Sequence, residues 1–346
     1  MPGSNNTSRN FTEATISTHD VVFASLYSFI VLFGVIGNSI VITIIPKTQS
    51  NHTTTNYLLM NLALADLLTL LFCPGLYDFA LQNVYLNGFS GDLICKLFAG
   101  NAIVPITINV AVLTVCTIAV ERYLALLKPF HSNLRINEDR VKYFIAGLWL
   151  LGLLSCIPDI QANTYNVTST YSKYPCKRPW SLDEYFLHKP FIIFTCTCFG
   201  VVSFVILLFC YFEIIRGLYF TKTIFSQSSV TGSREKQEKE RLAKLLIWLT
   251  IIFALCSLPF AVFFIFLVSS KQAFVQDNYN TLHLLHRLCR FCLFSNSFFN
   301  PLLYALQSSN FRDGFKRIFE SCMLFRALRR TSQKSYCVEL GGLAKL

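Results

Sequence analysis

Charge is scarce in this chain: only 14% of its 346 residues are Asp, Glu, Lys or Arg, where a soluble domain carries roughly 25%. Other absences are as informative. No Cys or His spacing matches a zinc site, no internal repeat points to a solenoid, and no paired carboxylates lie within the apolar segments to do acid–base work. The surplus of 30 basic over 19 acidic residues does not gather on a soluble face with stacking aromatics, so the charge balance gives no support to nucleic-acid binding. What is abundant is apolar: 53% hydrophobic residues, among them 33 Phe.

These residues are not scattered. Seven stretches, roughly 21–45, 57–82, 97–127, 142–162, 190–219, 242–269 and 283–306, reach the ~20 residues that a helix needs to cross a bilayer. Lipid leaves only helices or closed barrels, and continuous apolar runs exclude the alternation of barrel strands. The fold class is therefore an all-α seven-transmembrane bundle. The first stretch follows a polar tail and is too long for a cleavable signal peptide.

Orientation follows from the cations. With the N-terminus outside, twenty-one of the 30 Lys and Arg fall on inner loops, helix ends and tail, the positive-inside pattern. The sequons at Asn5, Asn6, Asn10 and Asn166 then lie outside, while Asn51 falls inside and goes unused. The expected organisation is a glycosylated outer tail (1–20), the bundle (21–307), a short surface helix (308–322) and a cytoplasmic tail (323–346). Most of the 13 Cys sit within the spans and read as small hydrophobes. Cys95 and Cys176 both fall outside, where an oxidising compartment permits a bridge.

Polar residues inside the spans are costly and mark function. Asp66, in "NLALADLL", lies midway through the second span. Asn38, Asn296, Ser297 and Asn300 are candidates at the same depth. Such a set suits either a sodium ion or a neutral Asp hydrogen-bonded to the amides. Pro74, Pro105, Pro158, Pro259 and Pro301 each interrupt a span. At the inner end of the third span, Glu121, Arg122 and Tyr123 follow some twenty uncharged residues. Arg122 held by Glu121 is one reading, and interface snorkelling is the other. Tyr211 and Tyr304 lie at a similar depth. After the seventh span, "NFRDGFKRIFESC" puts Phe311, Phe315, Ile318 and Phe319 on one helical face with Arg312, Lys316 and Arg317 on another, as in a membrane-surface helix that meets lipid. Cys322 beyond it is a candidate for palmitoylation.

Taken in order, "GNSIV" with Asn38, "NLALADLL" with Asp66, "ERY" at 121–123, Trp149, the Cys95 and Cys176 pair, Pro259 and "NPLLY" at 300–304 resemble the rhodopsin-like (class A) G-protein-coupled receptors. The resemblance runs from about 25 to 322 and is nearest the neuropeptide-receptor branch. It implies a plasma-membrane receptor, not an enzyme, that needs no cofactor beyond an allosteric sodium ion and has a Cys95–Cys176 disulfide. It implies that an outer ligand biases the bundle toward a packing in which Arg122 leaves Glu121 and nears Tyr211 and Tyr304. Arg122 then meets the α subunit of a heterotrimeric G protein, with Phe130 as the apolar plug and Asn300 and Pro301 in the switch.

The chain departs from that pattern at five places. Ser257 stands where the family carries Trp before Pro259, so the toggle role passes to Phe253 or Phe260 or is lost. Ser203 replaces the fifth-helix Pro, and Ala111 replaces a third-helix Ser of the sodium site. The 27 positions from Cys95 to Arg122 exceed the usual count by two, which calls for a bulge or a shifted disulfide. Lys239 and Glu240 stand where members keep an acid to pair with Arg122.

The ligand class follows from further absences. No Lys in 283–306 can hold retinal, and Asn101, Val104 and Pro105 stand where amine receptors resemble one another in an Asp. The long loop 159–189, rich in Thr, Tyr and Val, favours a β-hairpin shelf of the kind seen in peptide receptors. The pocket candidates are Asp78, Asn101, Val104, Arg178, Phe260, Phe264, His286 and Arg290. Two alternatives stand: a small acidic or lipid ligand anchored at Arg290, and a seven-helix transporter, which would require repeats or broken helices in matching halves.

Overall fold

The computed structural model describes residues 18–47, 53–73, 88–97, 103–128, 135–157, 160, 190–191, 193–217, 233–307 and 311–317. Its helices are α1 (Thr18–Lys47), α2 (Thr54–Leu71), α3 (Gly88–Leu97), α4 (Ile103–Leu127), α5 (Glu138–Ser155), α6 (Ser203–Ile215), α7 (Ser233–Ser269), α8 (Gln272–Asp277) and α9 (Tyr279–Gln307). A further short helix, α10, covers 311–317. No strand occurs among the described residues, and the loop expected to form a hairpin lies outside them.

Five helical segments are long and apolar enough to cross a membrane: Thr18–Pro46, Thr54–Leu71, Ile103–Leu127, Ile193–Ile215 and Ile247–Ser269. The other two expected spans, α5 and α9, are helices that carry more polarity. α5 opens with Glu138, Asp139, Arg140 and Lys142, whose acids suit the positive end of its dipole. α9 is diluted by its own Asn, Ser, His and Arg residues, and these largely turn inward.

The helices close into a ring. α1 packs on α2 and α9, α2 on α4, α4 on α5 and α6, and α7 on α9. α4 runs near the middle and contributes Val110, Val115, Ile118 and Ala119 to the buried core beside Leu58, Leu62, Leu207 and Leu249. The outward faces, such as Phe29, Leu150, Leu208 and Leu255, are apolar and exposed, as a hydrocarbon solvent requires.

Local sequence explains several boundaries. Thr53 caps α2, its hydroxyl accepting from the Asn56 amide at 3.3 Å. The third expected span corresponds to α4 with Arg122, and Cys95 lies on α3; residues 98–102 between them lie outside the described ones. Pro105 lies in the first described turn of α4, and the residues just before Ile103 lie outside the described ones. Pro259 and Pro301 do lie inside α7 and α9. A π-helical turn, Cys196–Val202, leads directly into α6 at Ser203, so the bulge forms without the family's proline.

Close helix approach depends on glycine. A Cβ on Gly152 of α5 would stand 2.7 Å from Val110 Cγ2 and 3.1 Å from the Ile106 carbonyl oxygen of α4, whereas one on Gly147 would meet nothing within 4 Å. Small residues at such crossings let backbones approach in lipid. Gly152→Ala is expected to lower thermal stability in detergent by about 1–3 kcal/mol through overpacking. Gly147→Ala, the internal control, is expected to leave the melting temperature unchanged or raise it.

Candidate functional site

The C-terminal end of α4, expected to face inward, holds the strongest polar arrangement among the described residues. Arg122 Nε donates to Glu121 Oε2 at 2.5 Å, and the Thr55 hydroxyl of α2 donates to the same oxygen at 2.9 Å. Glu121 is 3% exposed. A carboxylate at that depth keeps its charge only where donors surround it, so Glu121 does more than mark the interface. Neighbours on a helix diverge by about 100°, and the pair meets because both side chains are long enough to bend together. Thr55 is invisible to motif reading.

Two further tyrosines are buried, Tyr211 of α6 near Arg122 and Tyr304 of α9 near Asp66. Their hydroxyls make no hydrogen bond of good geometry, although Thr250 of α7 lies beside Tyr211. Buried hydroxyls normally find partners. Tyr211, with the half-buried Arg122 nearby, has a partner to gain. Tyr123 packs on Phe209 with ring centroids 5.6 Å apart. Tyr304 packs on Phe311 of α10 at 5.4 Å, which ties the end of α9 to the surface helix. In α10, Phe311 is buried while Arg312, Lys316 and Arg317 are exposed, the expected division of faces. Ile318 and Phe319 lie outside the described residues.

Higher in the bundle Asp66 is fully enclosed. Ser297 Oγ donates to Oδ1 at 2.7 Å and Asn300 Nδ2 to Oδ2 at 2.7 Å. Asn38 does not touch the carboxylate. Its amide donates to the Gly34 and Ser297 carbonyls at 2.9 and 2.8 Å, binding α1 to α9. Pro301 is buried where α1 comes close: a Cβ on Gly37 would lie 2.7 Å from Pro301 Cβ. Beside this runs a second network that sequence reading missed, in which Trp149 donates to Asn61 and Asn61 to Thr114, at 2.9 and 2.8 Å.

The side-chain oxygens Asn38 Oδ1, Asn296 Oδ1 and Asn300 Oδ1 are buried without hydrogen-bond partners among the described residues. Hard cations take oxygen ligands. A buried carboxylate with orphaned amide oxygens on the same helix that lines it fits a monovalent cation, even with Ala111, buried in the apolar core, in place of a hydroxyl.

The outer half gathers aromatics. His286 of α9 is buried among Phe260, Phe263 and Phe264 of α7, with ring centroids 6.1, 5.7 and 6.4 Å away. Phe263 was not singled out from sequence. Arg290 lies one turn further along α9, its Nε buried. Val104 does not join this group; it packs with Phe23, Tyr27 and Phe294 on the α1–α9 side. The missing Trp is not replaced by one neighbour. Phe253 packs on the inner core and Phe260 on the outer aromatic cluster, while the Ser257 hydroxyl between them is buried and unbonded. At the rim, Arg287 donates to Asp20 of α1 at 2.7 Å, a pair no motif announced.

Cys95 is disulfide-bonded. Cys176, Asp78, Asn101, Arg178, Phe130, Cys322, the sequons at Asn5, Asn6, Asn10 and Asn166, and the side chains of Lys239 and Glu240 lie outside the described residues.

Residues 37–304 match the 7 transmembrane receptor (rhodopsin family). Galanin receptor 2b of Danio rerio is 29% identical over 313 residues, 88% of this chain and 76% of its own. Substance-K receptor of Rattus norvegicus is 29% identical over 311 residues, covering 87% and 75%. Galanin receptor 2a of Danio rerio is 27% identical over 331 residues, covering 92% and 84%. With the match spanning the helices that carry Asp66, Arg122 and Tyr304, the chain belongs to the rhodopsin family of seven-transmembrane receptors.

Proposed function

We propose that this receptor sits in the plasma membrane with its N-terminus outside, binds an extracellular peptide and activates heterotrimeric G proteins through Arg122. The observation that carries the reading is the closed latch: Arg122 and Thr55 both on Glu121, with the buried Tyr211 hydroxyl near Arg122 and without a good bond. Opening replaces one set of partners with another. Arg122 leaves Glu121, the Tyr211 and Tyr304 hydroxyls gain a cation to bond, and the inner cleft admits a G-protein segment, with Phe130 contributing from the adjoining loop. A ligand drives this by binding the open packing better, and 1–3 kcal/mol of preference shifts the populations roughly 5- to 150-fold. No covalent chemistry is asked of the chain.

Peptide recognition is supported by the relatives, which are named as galanin and substance-K receptors, and by the mixed polarity of the outer cations and acids. His286 with Phe260, Phe263 and Phe264 offers an apolar, aromatic recess for a peptide side chain. Arg290 offers a guanidinium for a carbonyl or carboxylate. The proposed Cys95–Cys176 bridge ties the long outer loop to α3. A neuropeptide collection that includes galanin and substance K, with lipids as control, is expected to yield a peptide agonist. Activation by acidic lipids alone would move the reading to a ligand held at Arg290.

Sodium binding is proposed at Asp66, with Ser297, Asn296 and Asn300 lending oxygens. The ion supplies positive charge that steadies the closed packing of α2 against α9.

Arg122→Ala is expected to abolish nucleotide exchange on G proteins at unchanged surface expression. Glu121→Gln, which weakens the latch from the other side, is expected to raise basal exchange about tenfold. Retained full exchange in Arg122→Ala, on every G protein tried, would remove Arg122 from the mechanism. Replacing sodium by a large organic cation is expected to raise basal exchange in the wild type and to have no effect in Asp66→Asn; equal responses in both would exclude the ion from this site.

A further inference from the structure

The outer half of α9 presents two different faces. Leu282, His286 and Cys289 look toward α7, in one cluster with Phe263 and Leu267 or in ring contact with it. Arg287, Phe291 and Phe294 look toward α1, where Phe291 and Phe294 meet Tyr27 edge-on at 5.5 and 6.0 Å. His286 and Arg287 are neighbours, so about 100° of helix rotation separates the residue offered to the aromatic recess from the residue offered to α1.

Apolar contacts alone hold this rotation weakly. Both faces are lined by Phe, Leu and Cys, and in lipid no hydrophobic drive separates one greasy packing from the next. Further down, α9 is held by the bonds of Ser297 and Asn300 to Asp66; at its outer end the directional interaction is the ion pair. Arg287 Nη1 donates to Asp20 Oδ1 at 2.7 Å, and the guanidinium carbon lies 4.4 Å from the centroid of the Phe23 ring, one turn further along α1. The two side chains are only 24% and 13% exposed, so water competes poorly for them. Rotating α9 by one residue position would break the hydrogen bond and the cation–π contact together.

We propose that Asp20 and Arg287 are positioning residues for the outer pocket. Their pair holds the outer end of α9 in its rotation and thereby keeps His286 turned toward α7. The assignment of that recess to a ligand rests on the receptor function proposed above; the rotation does not.

The test needs neither ligand nor G protein. In the full chain in membranes, Phe263→Cys with His286→Cys places two thiols where the rings now face each other. Copper-phenanthroline oxidation then joins them, two thiolates giving up two electrons to the copper oxidant, and mass mapping of non-reduced peptides identifies the bridge. Asp20→Asn or Arg287→Gln is expected to slow bridging about fivefold, and the reversed pair Asp20→Arg with Arg287→Asp to restore it within about twofold. Should the Phe263 variant fail to reach the surface, Phe260→Cys with His286→Cys serves in its place. Bridging that is indifferent to neutralising either charge would overturn the proposal. So would a loss that the reversed pair, at normal surface expression, does not repair. Either failure leaves the peptide-receptor reading untouched, because no agonist enters the measurement.

Discussion

Everything in this bundle is arranged around one constraint: a carboxylate placed in hydrocarbon must be met from within the protein. Asp66 answers it with Ser297 and Asn300 of α9, and Glu121 answers it with Arg122 and Thr55. The two solutions differ in what they commit. Asp66 joins helices far apart in the chain, so α2 and α9 hold each other's depth and rotation. Glu121 is satisfied partly by its own neighbour, and that neighbour can leave only when something else takes the charge. The first is a fixed joint; the second is, in the function proposed above, the one that opens.

Asn38 and Trp149 extend the joint outward. Asn38 reaches the Ser297 carbonyl, so α1 is coupled to the turn of α9 that carries the Asp66 donors. Trp149 and Asn61 bring α5 and α4 to α2. The bundle is thus held less by its abundant apolar surface, which lipid satisfies equally well, than by a few polar contacts at defined heights.

Much of this was legible in the sequence, for a physical reason. The apolar runs themselves declare the helices. A charge in such a run is costly, so Asp66 and the Glu121–Arg122 pair stand out, although the sequence left open a neutral Asp66 and simple snorkelling. Hydroxyls do not stand out. Ser25, Ser28, Thr43 and Thr117 all bond a carbonyl four residues back on their own helix, a local solution open to any Ser or Thr in lipid. Nothing in the sequence separates them from Thr55, which bonds Glu121 on another helix.

The π turn at Cys196–Val202 has a consequence for the faces of the helix that carries it. A π turn accommodates one more residue than the α-helix it replaces, so the helix above it is rotated by about 100° relative to the helix below. The outer residues near Thr197 and the inner residues near Tyr211 therefore belong to two registers joined by a slip. The faces that the outer residues present to their neighbours are thus set differently from those of the inner residues, within one run of helix.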